Sequence, residues 1–365
     1  MPTKKKPQGI NRHDAQHRKN LSRYERQIDE IYKGAIREAV SIASTIAYVS
    51  QDEIFTFDRF PITRQRLDRL LSSMQREMEA VVVNGIRAEW ELSNAKNDEM
   101  AKRVIGKRWI GKAGGVHVVR NSRRYFNRNE EALNAFLTRV EGGMNLSERV
   151  WKYTEQFREE IELGLDLGIR EGRSAEALSQ DLRKALKHPD KLFRRVRDKH
   201  GQLALSKRAK AYHPGRGVYR SSYKNARRLA ATETNIAYRT ADYLRWQQMD
   251  FVVGVEVSLS NNHTLNGHPF EDICDYLAGK YPKDFKFSGW HPHCRCVATS
   301  ILKTEEELEE DTRRILEGEA VTTESQNRVD DTPERFKAWM EENGERIENA
   351  KNLPYFIKDN PKYTR

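Results

Sequence analysis

Apolar residues recur at helical spacing through most of this chain, and alternate with a period of two in two short runs, Val253–Val255–Val257 and Val297–Thr299–Ile301. Ile28, Ile31, Ala35, Ala39, Ile42 and Ile46 mark a helix from about Ser22 to Val49. Leu67, Leu70, Leu71, Met74 and Met78 mark a second, running to about Ala95 from Pro61, a residue suited to a first helical turn. Asn145 and Glu148 have the spacing of a capping box and open a helix that continues through Phe157, Ile161 and Ile169. Gly172 closes it, and Ser174 opens the next, which reaches Leu186 before His188-Pro189. Leu229, Ile236, Ala237, Ala241 and Leu244 form one stripe of a helix over 222–249. The two alternating runs that follow pair in a small sheet. A helix over about 305–317, a polar linker and a last helix over about 332–352, ended by Pro354, complete the chain. Residues 103–127 read as a loop or hairpin, and 190–221 as a basic, turn-rich connection.

These patterns predict a mainly α fold with a small α+β C-terminal module and an elongated helical body. Four segments are expected: a flexible basic arm over 1–20, a helical region over 21–210, a compact module over 215–302 and an acidic helical tail over 303–365. Charged residues make up 33% and hydrophobic ones 37%, which suits surface-rich helical architecture and argues against wholesale disorder. No apolar run is long enough to span a bilayer, and Met1–Lys6 lacks the apolar core of a secretory signal. A cytoplasmic product without a membrane partner is expected.

The net charge of +11 is uneven: residues 303–365 carry −6, so 1–302 carry +17. Such a body suits contact with a polyanion, and the same charge spread over ordinary solvated helix faces is the competing reading.

The three cysteines, Cys274, Cys294 and Cys296, share one short stretch with His263, His268, His291 and His293. Their odd number and clustering argue against a disulfide framework. Thiolates and imidazoles are the ligands zinc prefers, although the usual pair of Cys-x-x-Cys knuckles is absent. The alternative is that the thiols act as small hydrophobes filling a loop-rich core. A metal-dependent nuclease would cast Asn262, His263 and His293 as ligands and base, but no spacing supports that casting. Gly106–Ala113 matches a phosphate-binding loop except that Ala113 replaces the magnesium-binding hydroxyl, and no strong strand precedes it. That match reads as chance.

One resemblance organises these observations. The run Ala230-Ala231-Thr232-Glu233-Thr234-Asn235-Ile236-Ala237-Tyr238, then Cys274 to Gly279, then His291-Pro292-His293-Cys294-Arg295-Cys296, resembles the Mu F-like minor head proteins of tailed bacteriophages in order, spacing and residue type. It covers about 90 residues, roughly 215–302. There are two departures: Ala231 stands where many relatives have Arg, and Glu271 where many have the first Cys of a Cys-x-x-Cys pair. With that thiolate lost, a zinc site would draw on Cys274, Cys294, Cys296 and His291, with His263, His268 or Asp272 as substitutes. The resemblance implies a low-copy, non-enzymatic head-morphogenesis protein that associates with the portal protein and other procapsid components. It would sit in the virion head after assembly in the host cytoplasm and contact packaged DNA without sequence readout. Thr232, Glu233, Asn235, Gly279, Trp290, Pro292 and Arg295 would be structural positions of its motif. Glu233 and Asn235 have a physical reading of their own, as groups that bind the downstream loop and fix the helix against the cysteine module.

Overall fold

The computed structural model describes residues 11–46, 55–108, 123–170, 174–188, 221–260, 272–350 and 352–364, with the backbone of 196–197, 203–204, 264–265 and 268–269. Its helices are α1 (Arg12–Ala43), α2 (Pro61–Arg108), α3 (Glu130–Thr138), α4 (Leu146–Arg170), α5 (Ala175–Lys187), α6 (Ser222–Gln248), α7 (Ile273–Leu277), α8 (Glu305–Leu316), α9 (Glu334–Glu342), α10 (Gly344–Glu348) and α11 (Tyr355–Lys358). The strands are β1 (Val196–Arg197), β2 (Leu203–Ala204), β3 (Val252–Ser258), β4 (Thr264–Leu265), β5 (His268–Pro269), β6 (Gly279–Tyr281) and β7 (Val297–Leu302). The fold is mainly helical with a small α+β module, as the periodicities predict. The expected pairing forms too: β3 lies between β6 and β7, antiparallel to both, with Val255 opposite Tyr281 and Glu256 opposite Thr299.

Residues group into two compact units that interleave along the chain, one of 1–20, 86–136 and 232–365, the other of 21–85 and 137–231.

The second unit is helical. Tyr32 meets Phe157 and Tyr223 edge-on, at centroid distances of 5.2 and 5.4 Å. Gly164 and Gly168, one turn apart, let α5 lie close on α4, because a Cβ at either would overlap Leu182 or Leu178. Asn145 and Glu148 make both bonds of the capping box, and Ser174 caps α5. The buried Glu160 accepts the Ser222 N–H at 2.9 Å and the Ser222 hydroxyl at 2.5 Å at the start of α6. Burial pushes its carboxyl up to about 8, against the pull of those bonds.

The first unit holds the sheet and a core of aromatic and aliphatic side chains. Trp290 packs against Phe287 (4.9 Å), Phe356 (5.2 Å) and Tyr281 (5.7 Å). Phe336 and Ile357 are buried in the same cluster. The acidic 303–365 segment therefore closes this core. Lys303 and Asp311, both side chains fully buried, pair at 2.7 Å, and the Val329 N–H donates to the carbonyl of Val253.

Three expectations need correction, and one helix was not anticipated. Residues 12–20 are helical, not a flexible arm, because Asp14 and His17 are buried against polar partners on α2 and α6. The second helix does not stop near Ala95 but runs to Arg108, so 106–108 of the phosphate-loop-like stretch are helical and 109–122 lie outside the described residues. Residues 130–138 form a helix that the apolar pattern did not reveal. The final helix is two, α9 and α10, broken at Asn343, where φ is −106° and ψ is 8°.

Candidate metal centre

The turn His291-Pro292-His293-Cys294 is closed by a bond from the Cys294 N–H to the His291 carbonyl at 3.0 Å. Proline at its second position fixes φ, and His293 at the third takes φ of 63°, the pattern of a type II turn. The His293 N–H points to the hydroxyl oxygen of the buried Thr232 at 3.4 Å. Opposite the turn, Asp272 caps α7 by accepting from the Cys274 N–H, and Asp275 completes the capping box. The two local structures set Cys274, His291 and Cys294 face to face.

Their ligand atoms lie within 4.8 Å of one another. Cys274 Sγ is 3.1 Å from His291 Nε2 and 3.9 Å from Cys294 Sγ. A tetrahedron with zinc–sulfur bonds of about 2.3 Å and zinc–nitrogen bonds of about 2.0–2.1 Å would space two sulfurs at about 3.8 Å and sulfur from nitrogen at about 3.5 Å. The observed spacing fits such an ion with little adjustment. His291 is also in the ligating tautomer. Its Nδ1 lies 2.7 Å from the Pro292 carbonyl, which can only accept, so Nδ1 carries the proton and the Nε2 lone pair faces the thiols.

Cys296 is buried beside this pair, but its sulfur falls outside the group of ligand atoms that lie within 4.8 Å of one another. Bonds from Cys274 and Cys296 hold the Cys294 thiol well below the ordinary thiol range, aided by the Arg239 charge and the Trp290 N–H. Cys274 is pushed up, first by its hydrogen bond with Cys294 and then by the neighbouring Cys296 and burial. At Cys296 the contact with Cys274 pulls down, but Cys294 and burial outweigh it and push the thiol up to about 12. The residues present form a possible metal-binding group compatible with zinc. Asp272 is 3.6 Å from His291 Nε2. His263 and Asn262 lie outside the described residues, as does the side chain of His268.

Helix α6 holds the turn from below. Asn235 donates to the Cys294 carbonyl at 2.7 Å. Arg239, one turn on, donates to the carbonyls of Ser288 (3.2 Å), Cys294 (2.9 Å) and Cys296 (2.8 Å), and its guanidinium lies 4.6 Å from the Phe287 ring centroid. Gly289, at φ of 122°, makes room, since a Cβ there would come within 2.5 Å of the guanidinium. Glu233 is buried on the same helix, whereas Arg295 points to solvent. Gly279 opens β6 opposite Val257, and a Cβ there would meet Pro333 at 2.8 Å.

Behind Asn235 lies a buried polar group that sequence reasoning missed. His17 Nε2 is 3.0 Å from the Asn235 amide oxygen, and Nδ1 is 2.5 Å from Glu89. His17 also stacks on Tyr238 at 4.1 Å. Beside it, Lys96 bonds both Asp14 and Asp242, and Tyr238 donates to Asp14 at 2.8 Å. Burial pushes Asp242 up against the opposing pull of Lys96, and Lys96 itself is raised because its two carboxylates outweigh burial. The one available signal was Arg239, four residues after Asn235 and so on the same helix face.

Comparison with family models, curated proteins and solved structures finds no match to this chain. Among the described residues, no helix is long and apolar enough to cross a membrane.

Proposed function

We propose that this chain is a minor head protein of a tailed bacteriophage, of the Mu F-like kind, that associates with the portal vertex or procapsid and binds zinc through Cys274, His291, Cys294 and Cys296. One observation carries the reading: the separate motifs of the resemblance meet in one site. Thr232 and Asn235 of the helix motif bond the His291–Cys296 turn directly, and Cys274 of the middle motif faces it. A motif whose parts must touch explains why its order and spacing carry information.

The metal serves folding in this reading. Ligands on α7 and on the turn before β7 are tied through one ion, so binding free energy becomes folding free energy. No catalytic step is assigned to the chain. The +17 of residues 1–302 supplies contacts to DNA phosphates without base readout.

The deciding experiment uses the full-length chain, because both compact units draw on residues beyond 220. Expressed with portal, scaffold and capsid proteins, it should co-purify with portal-containing procapsids in low, fixed stoichiometry. Its absence from procapsids, with free soluble protein recovered, would remove the reading. Tight, salt-sensitive DNA binding in that case would leave a DNA-binding protein with no part in assembly.

A further inference from the structure

We propose that Arg239 is the counter-charge of the metal centre, and that it selects three anionic ligands around one divalent ion. The inference rests on the zinc reading above and adds to it a residue that does not touch the ion.

Arg239 is buried. Its hydrogen bonds go to three carbonyl oxygens, and among the described residues no carboxylate pairs with it. A buried guanidinium needs negative charge nearby, and three neutral carbonyls orient it without neutralising it. It holds the carbonyls of Cys294, whose sulfur lies 3.9 Å from that of Cys274, and of Cys296, which is buried two residues further on. A divalent ion bound by three thiolates and a neutral imidazole carries a net charge of −1, which the single charge of Arg239 balances. The same ion with two thiolates, imidazole and water is neutral and leaves Arg239 uncompensated. Charge balance therefore selects an anion over water as the fourth ligand, and Cys296, whose backbone Arg239 holds, is the one assigned here. Asn235 bonds the same Cys294 carbonyl but carries no charge, so hydrogen bonding and charge are separable here.

The test compares full-length wild type, Arg239→Lys and Arg239→Gln, each checked by circular dichroism, with cobalt(II) as the probe in competition with a chelating dye. Wild type should show intense tetrahedral d–d bands and a thiolate-to-cobalt charge-transfer band sized for three sulfurs. Arg239→Lys should stay close to wild type in affinity, whereas Arg239→Gln should bind about 10–100-fold more weakly, with the band reduced to two thiolates. Equal affinity in Arg239→Gln and wild type, or equal loss in Lys and Gln, would overturn the inference while leaving the metal reading intact. No cobalt binding by wild type would overturn both. Should Arg239→Gln not fold, Cys296→Asp and Cys296→Ser decide. The anionic replacement must keep the ion and the neutral one lose it, and equal binding overturns the inference.

Discussion

Asn235 donates its side-chain amide to the main-chain carbonyl of Cys294, so a helix residue fixes the backbone of a cysteine 59 positions later. Its amide oxygen meanwhile faces His17 Nε2 at 3.0 Å, which requires that nitrogen to carry a proton. Asn235→Ala leaves a buried ring N–H without its acceptor and takes one of two donors from the Cys294 carbonyl, which Arg239 still holds. The expected cost is about 1–3 kcal/mol in urea unfolding. A change under about 0.5 kcal/mol, the size of an ordinary surface substitution, would mean that water replaces the amide.

Elemental analysis of protein purified without chelator should find one zinc per chain. Stripping it should lower the melting temperature and raise hydrogen exchange in 272–302. Cys294→Ser should destabilise far more than His293→Ala, because His293 contributes backbone shape and Cys294 a ligand. Substoichiometric zinc with an unchanged melting curve would assign the thiols to packing alone.

Glu160 gives a pH dependence of known sign. Its folded-state carboxyl is raised from 4.5 to about 8 by burial. The contribution is fully present below about 4.5 and is lost as pH rises through about 8, on the order of a few kcal/mol in all. Glu160→Gln should flatten this part of the stability profile and be relatively more stable at pH 9 than wild type. A profile with the same slope between pH 5 and 8 in both proteins would rule the group out.

Phe336 lies in the acidic C-terminal segment yet is fully buried between Tyr281 and Phe285. Phe336→Ala should cost about 3–5 kcal/mol, as in any well-packed core. The denaturation midpoint would be unmoved if the segment were only an appended tail. For the same reason, removing 303–365 would expose core and confound a DNA-binding assay. Replacing the exposed Glu305, Glu309 and Glu319 with Gln is the cleaner way to reduce its negative charge.

DNA binding should be indifferent to sequence and fall steeply with salt, by about 10³–10⁵ between 50 and 200 mM if 6–10 phosphates are contacted. The Glu-to-Gln variant should bind equally or more tightly. No binding by either protein at low salt would assign the +17 of residues 1–302 to solvated surface or to protein contacts.

Local signals carried most of what the sequence revealed. Ser174, the Asn145–Glu148 pair and the alternating valines of β3 act within a few residues, so their elements were legible in place. The start of α1 was not, because Asp14 and His17 look like solvent-facing residues until Lys96 and Glu89 meet them from α2. Residues 303–365 misled through composition: their many charges hide Phe336, Phe356 and Ile357, which supply the apolar burial. At the candidate metal centre, the clustering of cysteines and histidines was legible while their spacing decided nothing, and the contacts of Arg239 are to carbonyls 49 to 57 residues away.

The unit containing the cysteine turn is assembled from 1–20, 86–136 and 232–365. During synthesis at about 5–20 residues per second, its earliest helical turn must wait for the segment that brings Phe336 and Phe356. Nascent or prematurely terminated chains thus present an open aromatic face and an untethered cysteine loop, the features that chaperones and proteases engage.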